Sequence, residues 1–333
     1  MRNLSIDYLK VILAYFVVLL HLEFLYHYYP EIGFLLVNGL FRIAVPLFFI
    51  ITGYYFAKIT NFSELKAWGK RVLIMYIVWT AFYLPLWLRH LKDLTYIITG
   101  YFTLWYLISL LLGGILLFFF RKTKIHLLLF ISFSLYIIGY ILQQVGNIHY
   151  LSGTYDDALN YFPTYRNFLF FSFPMLAVGY ILNKYQIEKK YKPSLYIIIF
   201  SIISVFFESY INYKYINSYE PIDLLLSLLY TPALIFLYVK NFKINGNNKE
   251  LANFSTAIFL IHPFVIWLSG FLKSNYPVIF VLIFTSIFVL FLLWLIKRLN
   301  ICYNFVKLKP YNYGLSLTSI EKVESTKSGL YCK

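Results

Sequence analysis

Charge is what this sequence has least of. Asp, Glu, Lys and Arg together make up 13% of the 333 residues, about half of the ~25% typical of a soluble domain. That is too few to cover a soluble surface of this size. Hydrophobic residues reach 61% and the mean hydropathy is +0.70, so lipid must be the solvent for much of the chain. Cysteine is nearly absent as well. Cys302 and Cys332, both in the C-terminal region, make neither a disulfide framework nor a metal site, and they fit a reducing cytoplasm. No cleavable signal peptide is evident, because the first apolar run, from Ile6, is long enough to be a span and carries polar residues. No internal repeat, inverted or otherwise, is visible, which argues against a repeat-built transporter.

What is abundant is long apolar sequence. Ten runs can be read, at roughly 6–27, 33–57, 71–88, 102–120, 125–145, 167–183, 193–210, 221–239, 252–272 and 276–296. Each is too long and too unalternating for a barrel strand, so helices are expected. The net charge of +15 does not point to nucleic acid, because the Lys and Arg residues sit in short clusters between the runs, where they act as orientation signals. With the N-terminus inside, the outside connectors hold Arg89, Lys92, Arg166, Lys214 and Lys273; Lys10 and Arg42 fall within runs, and the other 22 of the 29 lie inside. The expected fold is an all-α integral membrane bundle of about ten transmembrane helices with cytoplasmic N- and C-termini. It comprises a membrane domain over 1–300 and a short polar cytoplasmic tail over 301–333. The longest outside connector, 146–166, holds Asp156, Asp157 and several Tyr, and reads as a lid or a substrate-facing loop.

Ionisable groups inside a membrane are costly and mark candidate sites. In the first run Lys10 and His21 are 11 residues apart, about three turns, so they share a helix face some 16 Å apart along the axis. Asp7 lies one turn before Lys10, and the pair reads either as part of a site or as an interfacial ion pair. His21 reads either as a base or as a hydrogen-bonded bundle histidine. Arg42, in FRIAVPLFFIITGYYF (41–56), reaches nearly the same depth as His21 on what should be an adjacent antiparallel helix. Arg42 cannot lose its proton and needs an anion or carbonyl partner. Pro46 and Gly53 break helix regularity there and free backbone groups for a ligand. Trp105 and Tyr106 read as aromatic-belt anchors or as site residues, and His262, before Pro263, as a structural or supporting residue. Nothing in the pattern calls for a metal.

Five segments, in order, resemble the membrane acyltransferase-3 family: IDYLKVILAYFVVLLH (6–21), FRIAVPLFFIITGYYF (41–56), LWYLISLL (104–111), PMLAVGYIL (174–182) and STAIFLIHPFVI (255–266). The likeness is strongest to its short members, which include an O-acetyltransferase of enterobacterial common antigen and the membrane domain of glycopeptide-resistance serine racemases. The resemblance implies a bacterial plasma-membrane O-acyltransferase. It would move an acyl group, most often acetyl, from cytoplasmic acyl-CoA to a hydroxyl of an envelope or exported glycan or lipid-linked sugar. His21 would be the catalytic base and Arg42 would steady the thioester carbonyl or the developing oxyanion. Lys10 takes the place of the family's commoner Arg. Lys70 and Arg71 match the first half of a basic motif that meets the acyl donor, with Ile74 where a further Arg is often found. Thr103 stands where relatives often have His. Asp7, Trp105 and His262 are the remaining substrate-site candidates. The rival readings are a transporter or flippase of glycan or lipid-linked intermediates, and a membrane domain that imports an amino acid for a fused racemase.

Overall fold

A computed structural model describes residues 2–88, 90–246, 249–272 and 277–299. The expected tail, with Cys302 and Cys332, lies outside the described residues, as do Arg89 and Lys273. Helices dominate: α1 (Ser5–His21), α2 (Pro30–Val37), α3 (Ala44–Phe56), α4 (Phe62–Trp87), α5 (Trp105–Phe120), α6 (Ile125–Asn147), α7 (Phe173–Lys184), α8 (Leu195–Ile211), α9 (Thr231–Lys240), α10 (Glu250–Phe271) and α11 (Pro277–Leu299). Two-residue strands, β1 (Arg2–Asn3) and β2 (Asn245–Gly246), pair antiparallel and tie the start of the chain to the α9–α10 connector. Among the described residues, five helical stretches are long and apolar enough to cross a membrane: Pro30–Phe56, Ile125–Asn147, Leu195–Ile216, Glu250–Phe271 and Pro277–Leu295. Phe130, Phe133, Phe200, Phe207, Ile283 and Ile287 stand exposed on α6, α8 and α11. Apolar faces of that extent are stable against lipid and costly against water.

Three of the expected runs are interrupted, and the interruptions build the site. The first run stops at His21 instead of continuing to 27; residues 22–29 form turns in which Glu23 and Leu25 take φ of 47° and 65°. The second run breaks at 38–43 into a 3-10 turn, Leu40–Ile43, that carries Arg42. Pro46 has no N–H to offer the Arg42 carbonyl one turn back and its ring crowds that carbonyl, which weakens the helix where the 3-10 turn forms. The run expected over 221–239 is α-helical only from Thr231; residues 221–225 have no regular secondary structure and Leu226–Leu229 form a 3-10 turn.

An irregular segment inside an apolar bundle must find partners for its backbone polar groups. Here side chains supply them. Gln143, fully buried on α6, accepts from the amides of Asp223 (2.8 Å) and Leu224 (2.9 Å) and donates to the Leu224 carbonyl (2.9 Å). The Tyr136 hydroxyl donates to the Leu225 carbonyl, and Asn38 Oδ1 accepts from the Ile222 amide. Glu208 commits both oxygens to the 3-10 turn, accepting from the Leu226 amide and from the amide and hydroxyl of Ser227. It lines a lipid-facing groove between α6 and α8, but those bonds account for its burial.

α3 and α7 approach most closely. A Cβ on Gly53 would collide with the Leu176 carbonyl, and one on Gly179 with the Ile50 carbonyl. Reciprocal small residues let two backbones touch where lipid offers no hydrophobic gain from association. Gly179→Leu is therefore expected to cost at least ~1–3 kcal/mol, the scale of overpacking. Gly270→Ala, where an added Cβ meets open space, should be near neutral. Thermal unfolding in one detergent compares them; a Gly179→Leu protein melting with wild type would show that the contact can open freely.

Candidate active site

α1 ends on His21, which puts a partly exposed imidazole where the helix gives way to turns. Two rings hold it. Phe102 lies 4.6 Å away, centroid to centroid, and His262 stacks at 5.5 Å with an interplanar angle of 22°. Phe102 takes a φ of 50°, a conformation uncommon for a bulky side chain and typical of functional sites. His262, on α10, is fully buried, and its Nδ1 lies 3.1 Å from the Ile258 carbonyl. That oxygen can only accept, so Nδ1 carries the proton and Nε2 is left with a lone pair. Nε2 has no hydrogen-bond partner among the described residues. The His262 ring is thus packed against the candidate base itself.

A second cluster adjoins the first. Arg42 is buried; its Nη1 donates to Asp223 Oδ1, and its Nη2 to Asn38 Oδ1 at 2.9 Å. Arg166 Nη1 donates to the same Asp223 oxygen at 3.1 Å. The Arg166 guanidinium lies 4.8 Å over the Trp105 ring and 4.2 Å from that of Phe162. Asn167 fixes the chain beside it, accepting from the amides of Leu169 and Phe170 and donating to the carbonyls of Pro163 and Thr164. Phe102 on His21 and Trp105 under Arg166 are three residues apart, and Phe41, next to Arg42, packs on Phe16 at 5.1 Å and Phe24 at 6.4 Å, to either side of His21 in the chain. Two cations around one carboxylate leave one positive charge in a buried place.

The sequence candidates divide accordingly. His21, Arg42, Trp105 and His262 come together from α1, the 3-10 turn, α5 and α10. Trp105 is buried, stacked at 6.1 Å on Phe171, so the belt-anchor reading gives way to a support for Arg166. Asp7 and Lys10 are not in this group. They sit at the other end of α1, their charges 4.0 Å apart with Asp7 buried, Lys10 about 16 Å and Asp7 about 21 Å from His21 along the axis at ~1.5 Å per residue. Lys70 and Arg71 lie inside α4, Lys70 exposed and Arg71 partly buried. The 146–166 connector contains a short helix, Thr154–Asn160, and closes on itself through His149 Nδ1 and Asp156 Oδ2 at 2.7 Å. The Asp156 carboxylate holds the exposed His149 imidazole above its ordinary range, so this bond is strongest in mild acid and weakens as pH rises. Among the described residues no group of three metal-ligating side chains occurs.

Comparison with known proteins gives a consistent assignment. A serine/alanine racemase of Enterococcus gallinarum is 26% identical over 318 residues, covering 84% of this chain and 43% of the relative. An amino-acid racemase of Enterococcus faecalis is 26% identical over 309 residues with the same coverage. The chain therefore spans less than half the length of these curated relatives. No solved structure matches. The profile of the acyltransferase domain matches residues 3–298, nearly the whole chain, and the chain belongs to the acyltransferase-3 family.

Proposed function

We propose that this chain is a membrane O-acyltransferase in which His21 is the general base. The observation that carries this is the placement of one imidazole, packed on a second, beside a buried arginine–carboxylate–arginine cluster. A hydroxyl is a poor nucleophile at neutral pH, and an imidazole removes its proton as the attack on a thioester carbonyl proceeds. The negative charge that develops on that carbonyl oxygen is stabilised by a fixed positive field, which Arg42 supplies. The donor is acyl-CoA, acetyl-CoA foremost, and the acceptor is a hydroxyl of an envelope or exported glycan or a lipid-linked sugar. The direct test is mass spectrometry of surface glycans from bacteria with and without the chain. O-acyl groups lost with the chain and restored by it support the reading; unchanged glycans refute it.

The cytoplasmic donor and the exported acceptor require a defined topology. We place ten spans in a bacterial plasma membrane, with both ends cytoplasmic, on the 22-to-5 distribution of Lys and Arg across the connectors. Cysteine labelling of intact cells is expected to reach the 146–166 connector and not the 58–71 or 184–192 segments. Labelling of either basic segment from outside overturns the arrangement.

Lys70 and Arg71 are assigned to the phosphates of coenzyme A, on the motif they match and on their place in the N-terminal half of α4, which the ten-span arrangement sets toward the cytoplasm. Replacing both with Ala should raise the KM for acetyl-CoA roughly tenfold or more, the scale of losing one or two charge-assisted hydrogen bonds, with a smaller effect on the acceptor KM. Unchanged donor saturation would leave these residues only the task of orienting the protein.

A second reading is membrane passage of an amino acid, favoured by the likeness to a serine/alanine racemase and an amino-acid racemase. Uptake of labelled serine by vesicles containing the chain, without acetyl-CoA consumption, would establish it.

A further inference from the structure

We propose that Arg42 and Arg166 bind an anionic group, a phosphate or a carboxylate, carried by the acceptor sugar whose hydroxyl His21 activates. The proposal rests on the acyl-transfer reading for the role of His21, and on charge and geometry for the anion. Arg42 and Arg166 share a single carboxylate, Asp223. Among the described residues no other acidic side chain bonds to either guanidinium. Neither arginine can shed its charge, and an uncompensated cation at depth in a bundle is costly. The cost points to a missing anion.

The donors for it are in place. The Nε groups of both Arg42 and Arg166 are buried and have no hydrogen-bond partner among the described residues. Arg166 keeps some solvent access, with its side chain 15% exposed, so a ligand can reach the cluster. Its plane is held between Trp105 and Phe162 and its loop is pinned by Asn167, so little ordering remains to oppose binding. A planar guanidinium suits the paired oxygens of phosphate and carboxylate alike. Phe102, packed on His21, and Trp105, under Arg166, are three residues apart, and Phe41, next to Arg42, packs on Phe16 and Phe24 to either side of His21 in the chain, so an anion held by the arginines brings a neighbouring sugar hydroxyl toward the imidazole. A neutral sugar leaves the charge unmatched.

The test uses the full chain in lipid nanodiscs and three probes: glucose 6-phosphate, glucuronate and methyl glucoside. Calorimetric binding of the better anionic sugar is expected to be roughly ten- to hundredfold tighter than that of the neutral one, the scale of a hydrogen bond to a charged group. Comparing the two anionic sugars identifies phosphate or carboxylate. The preference should collapse in Arg166→Gln and survive in part in Arg166→Lys, which keeps the charge without the fork. Equal binding of the neutral sugar overturns the proposal, as does no measurable binding of either anion, or a full preference in a folded Arg166→Gln protein. Should Arg166→Gln not fold, the wild-type ratio alone decides. Acetyl transfer from acetyl-CoA to the same sugars is measured separately. An anion preference without transfer to any hydroxyl keeps the binding site and rejects the acyl-transfer reading; transfer without an anion preference does the reverse.

Discussion

Asp223→Ala is expected to destabilise the protein by about 3–5 kcal/mol, the cost of stripping the partner from a buried ion pair. The effect should fall at the upper end, because one deletion leaves two guanidiniums facing each other. Asp223 is buried in the irregular 221–225 segment, its amide held by Gln143 and its carboxylate reached by Arg42 and Arg166. Ala removes the carboxylate's tether to the arginines but keeps the backbone bonds that anchor the segment to α6 and Asn38. Asp223→Asn keeps an acceptor oxygen but no charge, and should fall between wild type and Ala. Thermal unfolding in detergent reads both. Adding Arg166→Leu to Asp223→Ala removes the repulsion and should recover part of the loss, so that the two changes together cost less than their sum. If Asp223→Ala melts with wild type, water or lipid phosphate already neutralises the arginines and the cluster is not closed.

Asp223 also marks the limit of what the sequence discloses. It stands near the start of a run that reads as an apolar span, and a carboxylate at such an edge is easily assigned to the interface. Arg166 reads as one of five outside charges. Their partnership spans 57 residues, that of Arg42 with Asp223 spans 181, and that of Asn38 with Ile222 spans 184. Hydropathy reports local composition and carries no term for such distances. Buried Gln143 and Asn38 are the signal that was available: amides inside apolar runs answer to unsatisfied backbone nearby, and so foretell a stretch that is not helix. By contrast, His21 and Arg42 were legible because helical rise fixes depth, and two runs with a short connector must lie side by side. The helix break at Arg42 was half legible, since Pro46 announces an irregularity without saying which way the turn tightens. Position alone did not tell whether Trp105 faces lipid; its burial under Arg166 does.

The largest expected effect belongs to His21. General base catalysis contributes roughly 10²–10⁴-fold to a rate, and His21→Ala should lower acetyl transfer by about that factor while the protein still inserts and is extracted intact. His21→Gln separates the two readings of this residue. The amide preserves polarity and hydrogen bonding but accepts no proton near neutral pH. If His21 is the base, Gln should be nearly as inactive as Ala. If His21 only packs between Phe102 and His262, Gln should retain most activity and Ala should fail through instability. His262 then sharpens the assignment. Its Nδ1 is committed to the Ile258 carbonyl and its ring stacks on His21, so the part expected of it is to place the imidazole. His262→Phe keeps a stacked ring and removes both nitrogens. It should lower kcat by less than His21→Gln, leave the KM for acetyl-CoA in place, and shift the pH profile of kcat, because the titrating imidazole has lost a polar neighbour. A merely structural ring would leave that profile where it was. Near-native turnover in His21→Gln would sink the assignment of the base, and full loss in His262→Phe beside it would move the role to His262.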